Sequence, residues 1–365
     1  MSAAAMESPF EVLGHDAVLE GLWRAERDGR LHHGFLFEGP SGVGKLLAAK
    51  RFVAGLFCAA GPGPPCGTCG PCVRLSTGGE EANHPDLLVV DALARGEERV
   101  LIKYVAFREE QKDPVPLRRT VEGFLDLKRQ EAPYRAVLLR DADRMNPNAQ
   151  NALLKTLEEP RPGTLLVLVA TSATGLLDTT TSRVTRVRFE RLDLETTARI
   201  VAREAPALDS ADVTRHARWA SGSPGRALEL VGQRRSEMVA LLARVLTGEL
   251  GPMAAGLALS ELDLPLPGRT ESAKARARVR WVLDLLLEWQ LDLARLASGV
   301  PAEDLAAGPE LAAALAGRDG AWTTRLDHVR SALERARRDL DQNITPAALL
   351  DSAMLALAAL APKRS

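Results

Sequence analysis

The chain has four cysteines, and all of them lie within one short segment, at Cys58, Cys66, Cys69 and Cys72. Thiolates at Cys-x-x-Cys spacing, separated by glycine and proline turns, are typical ligands of a closed tetrahedral Zn²⁺ site. A disulfide pair or a redox Cys-x-x-Cys is the alternative, but no thioredoxin-like pattern surrounds the cluster, and clustered thiols suit a reducing compartment. The spacing therefore predicts structural zinc in a module at about residues 58–77, with no open position for catalysis.

A phosphate-binding loop is predicted just upstream of the cysteines. Its backbone N–H groups would surround phosphate oxygens at a helix N-terminus, and its lysine would reach the outer phosphates. An apolar strand pattern precedes the loop and a helical pattern follows it, which is the context that such a loop requires. A plain glycine turn is the alternative. The candidate nucleotide-binding residues are Gly39, Gly42, Gly44 and Lys45.

The positions that would hold magnesium are incomplete. Leu46 follows the lysine, where a working loop has a Ser or Thr hydroxyl for Mg²⁺. Asp141 ends the apolar run that starts at Val137 and is the candidate magnesium carboxylate, but Ala142 follows it, where an active ATPase has a glutamate. Asp143 comes next and is expected to point elsewhere. The sequence predicts that this chain does not hydrolyse ATP, and it leaves nucleotide binding open.

Apolar runs that alternate with helical patterns surround these motifs. Buried strands alternating with helices imply a parallel sheet covered on both faces, and so an α/β fold. After about residue 190 only helices are predicted, with breaks at Pro265–Pro267 and around Pro301. Strands are predicted at 34–38, 87–91, 134–140, 163–170 and 184–189, helices at 8–33, 45–58, 116–128, 148–157, 192–232 and 235–362, and a loop-rich excursion at 59–77.

Length and composition limit the possible functions. At 365 residues, with 46% hydrophobic residues, the chain is expected to form two or three domains. A formal net charge of −1 excludes a general basic field, so any contact with DNA would be local or made by partners. The N-terminus lacks a basic start and an apolar run, and no apolar stretch is long enough to cross a bilayer. We therefore expect a cytoplasmic protein without a membrane contact.

Together these motifs resemble the bacterial DNA polymerase III clamp-loader family within the AAA+ ATPases. The incomplete loop and the Asp-Ala-Asp sequence are similar to the non-hydrolysing delta-prime branch of that family, and less so to the gamma/tau motors. The resemblance implies an AAA+ P-loop core at 1–190, a small helical lid at 191–234 and an all-α collar domain for oligomerisation at 235–365. The similar segments are 31–45, the cysteine cluster, 141–146, 151–160, 182–184 and 222–225.

The resemblance also implies roles for residues outside the loop. Ser182 and Arg183 match a Ser-Arg-Cys motif whose arginine reaches the ATP of a neighbouring subunit, with valine here at the cysteine position. A surface arginine at a strand start is the alternative. Thr171, at the end of the fourth strand, corresponds to the first sensor. Gly225 stands where active relatives have a lid arginine, and Arg226 is one step further.

The implied function is to help load a sliding clamp onto primed DNA without turning over ATP. The implied partners are gamma/tau and delta subunits in a five-subunit ring and, through the complex, the clamp and primer-template DNA at the nucleoid. Zn²⁺ is the implied cofactor, with ATP or ADP binding open. One rival is an active gamma/tau-type clamp-loader ATPase, against which Ala142 argues. A DNA-binding AAA+ repair protein and a free-standing zinc adaptor are the others, disfavoured by the charge balance and by cysteines inside the core.

Several other polar groups are interpreted as structural. His84-Pro85-Asp86 is predicted to form a turn ahead of a strand, and Glu158-Glu159 to end a helix without acting as a catalytic pair. His32 and His33 are expected to pack or to form hydrogen bonds.

Overall fold

The structure, a computed structural model, is described for most of the chain, and its residues form two compact units. These units are Met1–Thr196 and Thr197–Ser365. This division does not test the three-domain organisation expected from the sequence, which stays a prediction. The described residues are 10–77, 84–92, 99–106, 115–232, 234–262, 264, 270–302, 305, 308–315, 320–340 and 344–361.

The first unit is built on a parallel sheet of five strands, in the order β2-β3-β4-β1-β5. The three central strands are buried along their whole length, whereas β5 at one edge is largely exposed. The predicted α/β fold with a parallel sheet is confirmed. The strands are β1 (Gly34–Glu38), β2 (Leu87–Val90), β3 (Arg135–Leu139), β4 (Thr164–Ala170) and β5 (Thr185–Arg188).

Helices cover both faces of this sheet because successive strand residues point to opposite sides. Phe35 and Phe37 of β1 join one apolar core, while Leu36 between them joins the other. The helices are α1 (Asp16–Arg27), α2 (Lys45–Phe57), α3 (Gly70–Thr77), α4 (Ile102–Val105), α5 (Val121–Leu125), α6 (Pro147–Glu158) and α7 (Asp178–Thr181), with short 3₁₀ helices at Leu117–Arg119, Ala142–Arg144 and Ala173–Gly175.

Two predicted segments differ from the structure. The excursion at 59–77 ends in helix α3, where Pro71 is tolerated in the first turn and Cys72 faces a buried cluster. The helix predicted over 116–128 is divided into a 3₁₀ turn and the short α5. The division occurs at Thr120, whose side chain accepts a hydrogen bond from the Gly123 N–H and so starts a new helix.

The described part of the second unit is helical. A small core around Val201 and Val213 joins its first helices, and a large core around Trp289 joins the rest. The expected break around Pro301 follows α13, whereas the one at Pro265–Pro267 lies outside the described residues. The helices are α8 (Leu194–Glu204), α9 (Ser210–Trp219), α10 (Pro224–Gly232), α11 (Arg235–Leu246), α12 (Pro252–Glu261), α13 (Glu271–Ala297), α14 (Gly308–Leu315), α15 (Leu326–Asp339) and α16 (Pro346–Ala358). Among the described helices, none combines the length and apolar composition that a membrane span requires.

Gly55 of α2 lies where the excursion packs against this helix. A Cβ atom on Gly55 would overlap the carbonyl oxygen of Gly63 and the indole of Trp23, which itself donates a 3.1 Å hydrogen bond to the Phe52 carbonyl. We therefore expect Gly55→Ala to lower the free energy of unfolding of the first unit by about 1–3 kcal/mol through overpacking. Chemical denaturation measures this change.

Gly21→Ala is the matched control, because Gly21 is an exposed residue of α1 with nothing within 4 Å of an added Cβ. At this position helix propensity acts alone, and the substitution is expected to raise the free energy of unfolding by about 0.5–1 kcal/mol. Similar effects of the two substitutions would contradict the close packing of the excursion on α2.

Candidate functional site

The glycine loop leaves the carboxyl end of β1 and leads directly into α2. Gly39, Gly42 and Gly44 have φ angles of 152°, 76° and 97°. A Cβ atom on Gly39 would overlap the carbonyl oxygen of Phe189, and Gly44 is the left-handed N-cap residue of α2. Glycine adopts such angles without the strain that other residues meet. The three predicted glycines therefore build a sharp turn that places a helix N-terminus at the carboxyl edge of the sheet.

Lys45 is folded back onto this loop. Its Nζ donates hydrogen bonds of 2.7 Å to the Gly39 carbonyl and 2.6 Å to the Pro40 carbonyl, and the residue is only 8% exposed. Burial lowers the pKa of Lys45, and nearby carboxylates oppose that shift. On another side of the loop, His15 Nε2 lies 2.7 Å from the Val43 carbonyl. The loop carbonyls are thus held by the chain's own lysine and histidine.

Leu46 and Asp141 occupy the two positions that the sequence relates to magnesium binding. Leu46 packs against one of the apolar cores and offers no oxygen. Asp141 has a positive φ of 52°, and its Oδ2 lies 3.3 Å from Nε of Arg140, which also pairs with Asp91 at 2.7 Å. Burial raises the pKa of Asp141. The Asp141 carboxylate is thus partly buried and lies beside a neighbouring arginine.

Asp143 differs from the expectation that it points away from the site. Its Oδ2 accepts a 3.0 Å hydrogen bond from the backbone N–H of Thr171, at the end of β4. Its charge also raises the pKa of Lys45 more than the charge of Asp141 does. The left-handed Asp141 and the following 3₁₀ turn redirect the chain toward the loop. Asp143 therefore links the segments that follow two neighbouring strands, β3 and β4.

Arg183 lies at the amino ends of the strands, opposite to the carboxyl ends where the glycine loop lies. Its carbonyl oxygen is 3.5 Å from the Cβ position of Gly34, the first residue of β1, whereas the glycine loop begins after the last residue of that strand. From Gly34 to Gly39 the chain advances by about 16 Å, since a strand rises about 3.3 Å per residue. An arginine side chain does not cover that distance. Arg183 therefore cannot reach the glycine loop of its own chain.

The guanidinium of Arg183 is held by residues of its own unit. Its Nη2 lies 2.7 Å from Oε1 of Glu158, the last residue of α6. Its Nη1 donates to the Thr179 carbonyl at 2.8 Å and to Ser182 Oγ at 3.3 Å. The predicted pair Ser182 and Arg183 is thus brought together just after α7, on the surface. Sequence reasoning assigned Glu158 to a helix end and missed its contact with Arg183.

The four cysteine sulfurs converge, as the spacing predicts. All four Sγ atoms lie within 4.8 Å of one another. Zn–S bonds of about 2.3 Å in tetrahedral geometry place sulfurs roughly 3.8 Å apart. The cluster therefore has nearly the size of a four-thiolate site and could hold a metal ion. Cys58 caps the end of α2 and Cys72 belongs to α3, so the cluster joins these two helices.

Hydrogen bonds to the sulfurs favour thiolates at part of this cluster. The backbone N–H groups of Ala60 and Cys66 lie 3.5 and 3.4 Å from Cys58 Sγ. A hydrogen bond from the Thr68 hydroxyl, with further backbone N–H groups, lowers the pKa of Cys66 to about 5, whereas burial raises the pKa of Cys72. Thiolates are the form in which cysteine binds metals. The donor set therefore fits a thiophilic ion such as zinc.

Comparison with known proteins decides the family. A family model described as "DNA polymerase III, delta subunit" matches residues 14–193. The subunit delta' of DNA polymerase III from Pseudomonas aeruginosa is 31% identical over 260 residues, which are 68% of this chain and 71% of that protein. The chain belongs to the DNA polymerase III subunit delta' family. The resemblance inferred from the motifs is thereby confirmed at the level of the family.

Two further relatives show how far this similarity extends. The subunit delta' of Bacillus subtilis is 34% identical over 175 residues, 48% of this chain and 47% of that protein. The subunit tau/gamma of Haemophilus influenzae is 30% identical over 228 residues, 61% of this chain and 30% of that protein. The chain thus spans about half the length of the Bacillus relative. Because delta' and tau/gamma proteins both match, the similarity alone does not separate these two kinds of subunit.

Gly225 and Arg226 lie at and just after the position where the resemblance implies a lid arginine. Gly225 has no side chain, and Nη1 of Arg226 lies 3.0 Å from Oε2 of Glu229. Nη2 of Arg226 is 3.8 Å from Glu288, which also pairs with the buried Arg235. Arg226 is therefore occupied within the second unit.

His84-Pro85-Asp86 forms the predicted turn. The Asp86 carboxylate is fully buried and accepts hydrogen bonds of 2.8–3.1 Å from the N–H groups of residues 130–132. Nη1 of Arg135 lies 3.3 Å from the same carboxylate. These contacts order the loop before β3, so the role of Asp86 is structural.

Proposed function

We propose that this chain is a delta'-type clamp-loader subunit that does not turn over ATP and that supplies Arg183 to the ATP site of a neighbouring subunit. The observation that carries the proposal is that Arg183 lies at the amino ends of the strands and the glycine loop at their carboxyl ends. An arginine that cannot reach the glycine loop of its own chain can still contact the ATP site of another subunit. Arginine stabilises the charge of a transferring phosphoryl group in this way.

The residues of the chain's own site support the non-hydrolysing half of the proposal. Leu46 and Ala142 provide neither a metal ligand nor a base, and Asp141 is paired with Arg140. The glycines and Lys45 remain suited to phosphate, because the lysine would exchange two carbonyl partners for phosphate oxygens. The proposal is therefore loss of hydrolysis, with nucleotide binding retained as a separate question.

The proposed assembly is a five-subunit ring with gamma/tau and delta subunits, acting in the bacterial cytoplasm on a sliding clamp and primer-template DNA. In it, residues 1–190 act as the AAA+ core, 191–234 as the lid and 235–365 as the collar. Apolar side chains that are more than half exposed on two packed helices support an interface in the last region. They are Met253 and Leu257 of α12 and Leu355 of α16.

The proposed cofactor is one structural Zn²⁺ held by Cys58, Cys66, Cys69 and Cys72. The converged sulfurs support a closed site. A closed four-thiolate site has no open position for substrate, so the metal would stabilise the excursion and take no part in catalysis.

We expect Cys69→Ser to release most of the zinc under mild chelation and to loosen residues 58–77, because a hydroxyl is a much weaker zinc ligand than a thiolate. The sheet should stay folded, since its two apolar cores lie outside the cluster. Metal analysis and hydrogen exchange measure the two effects. Ser76→Ala in α3, the helix that directly follows Cys69, is the control and should keep its zinc. Unfolding of the whole first unit on metal loss would contradict the proposed local role.

The test of the proposed function is the clamp- and DNA-stimulated ATPase of the complex reconstituted with Lys45→Ala or Arg183→Ala chains. A harmless Lys45→Ala together with a damaging Arg183→Ala supports a subunit that acts on its neighbour. If Lys45→Ala removes a matching share of turnover, the chain hydrolyses ATP itself. The second candidate function, an active gamma/tau-type ATPase, would then replace the proposal, as the similarity to tau/gamma proteins would allow.

A further inference from the structure

Both terminal nitrogens of the Arg183 guanidinium are engaged by its own chain. Nη2 pairs with Glu158 at 2.7 Å, and Nη1 donates to the Thr179 carbonyl at 2.8 Å and to Ser182 Oγ at 3.3 Å. A bidentate contact with phosphate uses these same donors. In this arrangement the arginine is turned toward its own surface and must exchange partners before it can contact a phosphate group.

The backbones on both sides of this ion pair are fixed. Glu158 ends α6, where His33 Nε2 lies 3.0 Å from the Leu157 carbonyl. The N–H of Arg183 donates to the Thr180 carbonyl at 3.2 Å, and the next side chain, Val184, is buried. The side chains of Arg183 and Glu158 are by contrast 35% and 48% exposed. Exchange of the arginine's partner therefore requires side-chain rotation only.

We propose that Glu158 is a positioning residue that holds Arg183 back until a neighbouring subunit presents a phosphate group. A carboxylate and a phosphate both offer paired oxygens to a guanidinium, so Glu158 competes with the phosphate for the same donors. This inference rests on the proposed function of Arg183 in trans. A restrained Arg183 would keep ATP hydrolysis by the neighbouring subunit slower before the complex binds its clamp and DNA.

The exposure of the pair sets the size of the effect. Exposed ion pairs stabilise one geometry only modestly, and the solvent and salt screen them. Removal of the Glu158 charge should therefore raise the population of free Arg183 by about two- to five-fold. A restraint of this strength can be overcome when clamp and DNA align the subunits, so the stimulated rate should be nearly unaffected.

The test compares Glu158→Gln with Glu159→Gln in the reconstituted complex. The two substitutions remove the same charge from adjacent residues, and among the described residues only Glu158 pairs with Arg183. Glu158→Gln is expected to raise hydrolysis without clamp and DNA by about two- to five-fold at the one site that Arg183 would complete, and so to raise the total unstimulated rate in proportion to the share of that site. Glu159→Gln should match the unaltered complex. Equal melting temperatures of the two chains exclude a folding effect.

The double variant Glu158→Gln/Arg183→Ala separates the possible failures. If the double variant does not show the increased ATPase rate without clamp and DNA, the increase depends on Arg183. If Arg183→Ala alone leaves the complex unchanged, the proposed function itself fails. If Arg183→Ala is damaging but Glu158→Gln behaves like Glu159→Gln, only the restraint fails. A lower stimulated rate in Glu158→Gln would also overturn the restraint, because Glu158 would then support the productive orientation of Arg183.

Discussion

Asp86→Ala is expected to lower the free energy of unfolding of the first unit by about 3–5 kcal/mol, the range found when one partner of a buried ion pair is removed. The carboxylate is fully buried and accepts hydrogen bonds from three consecutive backbone N–H groups, at residues 130–132. Its removal also leaves Arg135, which is 3% exposed, without its carboxylate partner. Chemical denaturation of the full chain, followed by a probe in the first unit, measures the loss.

Asp126→Ala provides the matched control for this prediction. Asp126 follows α5, in the segment before β3 that also contains residues 130–132. It pairs with Arg161 at 2.8 Å, but both side chains are more than 60% exposed. Exposed pairs contribute about 0–1 kcal/mol. Equal losses from Asp86→Ala and Asp126→Ala would contradict the structural role assigned to the buried carboxylate.

The same carboxylate gives the stability a defined dependence on pH. Burial alone would raise the pKa of Asp86, but the N–H groups of residues 130–132 and the charge of Arg135 outweigh burial and hold the pKa below its ordinary value. A carboxyl group with a lowered folded-state pKa stabilises the fold above its ordinary pKa of about 3.9, and this contribution is lost as the pH falls through the lowered value. The stability difference between wild type and Asp86→Asn should therefore shrink below about pH 4.

The parts of the fold with strong periodicity could be predicted from the sequence. Strands β1 to β4 follow from apolar runs, whereas β5 is largely exposed and has a weaker pattern. The glycine loop follows from a spacing typical of a sharp strand-to-helix turn. The cysteine cluster was predictable for a similar reason, since ligands for one ion must converge. Short elements were less predictable. α3 lies in a segment of glycine and proline, and its helix is selected by the burial of Cys72, which is a tertiary effect.

Contacts between residues far apart in the sequence could not be predicted from such patterns. The pairing of Glu158 with Arg183 joins the end of one helix to the turn after another, and neither residue carries a pattern that indicates its partner. The direction of Asp143 depends on the left-handed backbone of Asp141, which residue type alone does not specify. Sequence reasoning thus identified which residues could do chemistry, while the geometry showed which of them are occupied by internal partners.

Arg183→Ala is expected to have the largest functional effect. If Arg183 completes the ATP site of one neighbouring subunit, as proposed, its loss should slow hydrolysis at that site by about 10³-fold or more. The steady-state ATPase of the reconstituted complex should lose at least the share of that site, while the isolated chain should keep its stability because Arg183 is a surface residue. Single-turnover hydrolysis separates the chemical step from nucleotide binding, which should change much less.

Arg183→Lys and Arg188→Ala make this prediction specific. Lysine keeps the charge but lacks the planar fork that binds two oxygens, so Arg183→Lys should recover only a small part of the lost rate. Arg188 is the last residue of β5, the strand that follows Arg183, and its side chain is 78% exposed, so its removal deletes the same charge from the same unit. A loss with Arg188→Ala as large as that with Arg183→Ala would indicate a general electrostatic effect of positive charge on the first unit. An effect confined to Arg183, with little rescue by lysine, is the pattern that direct contact with a phosphate group requires.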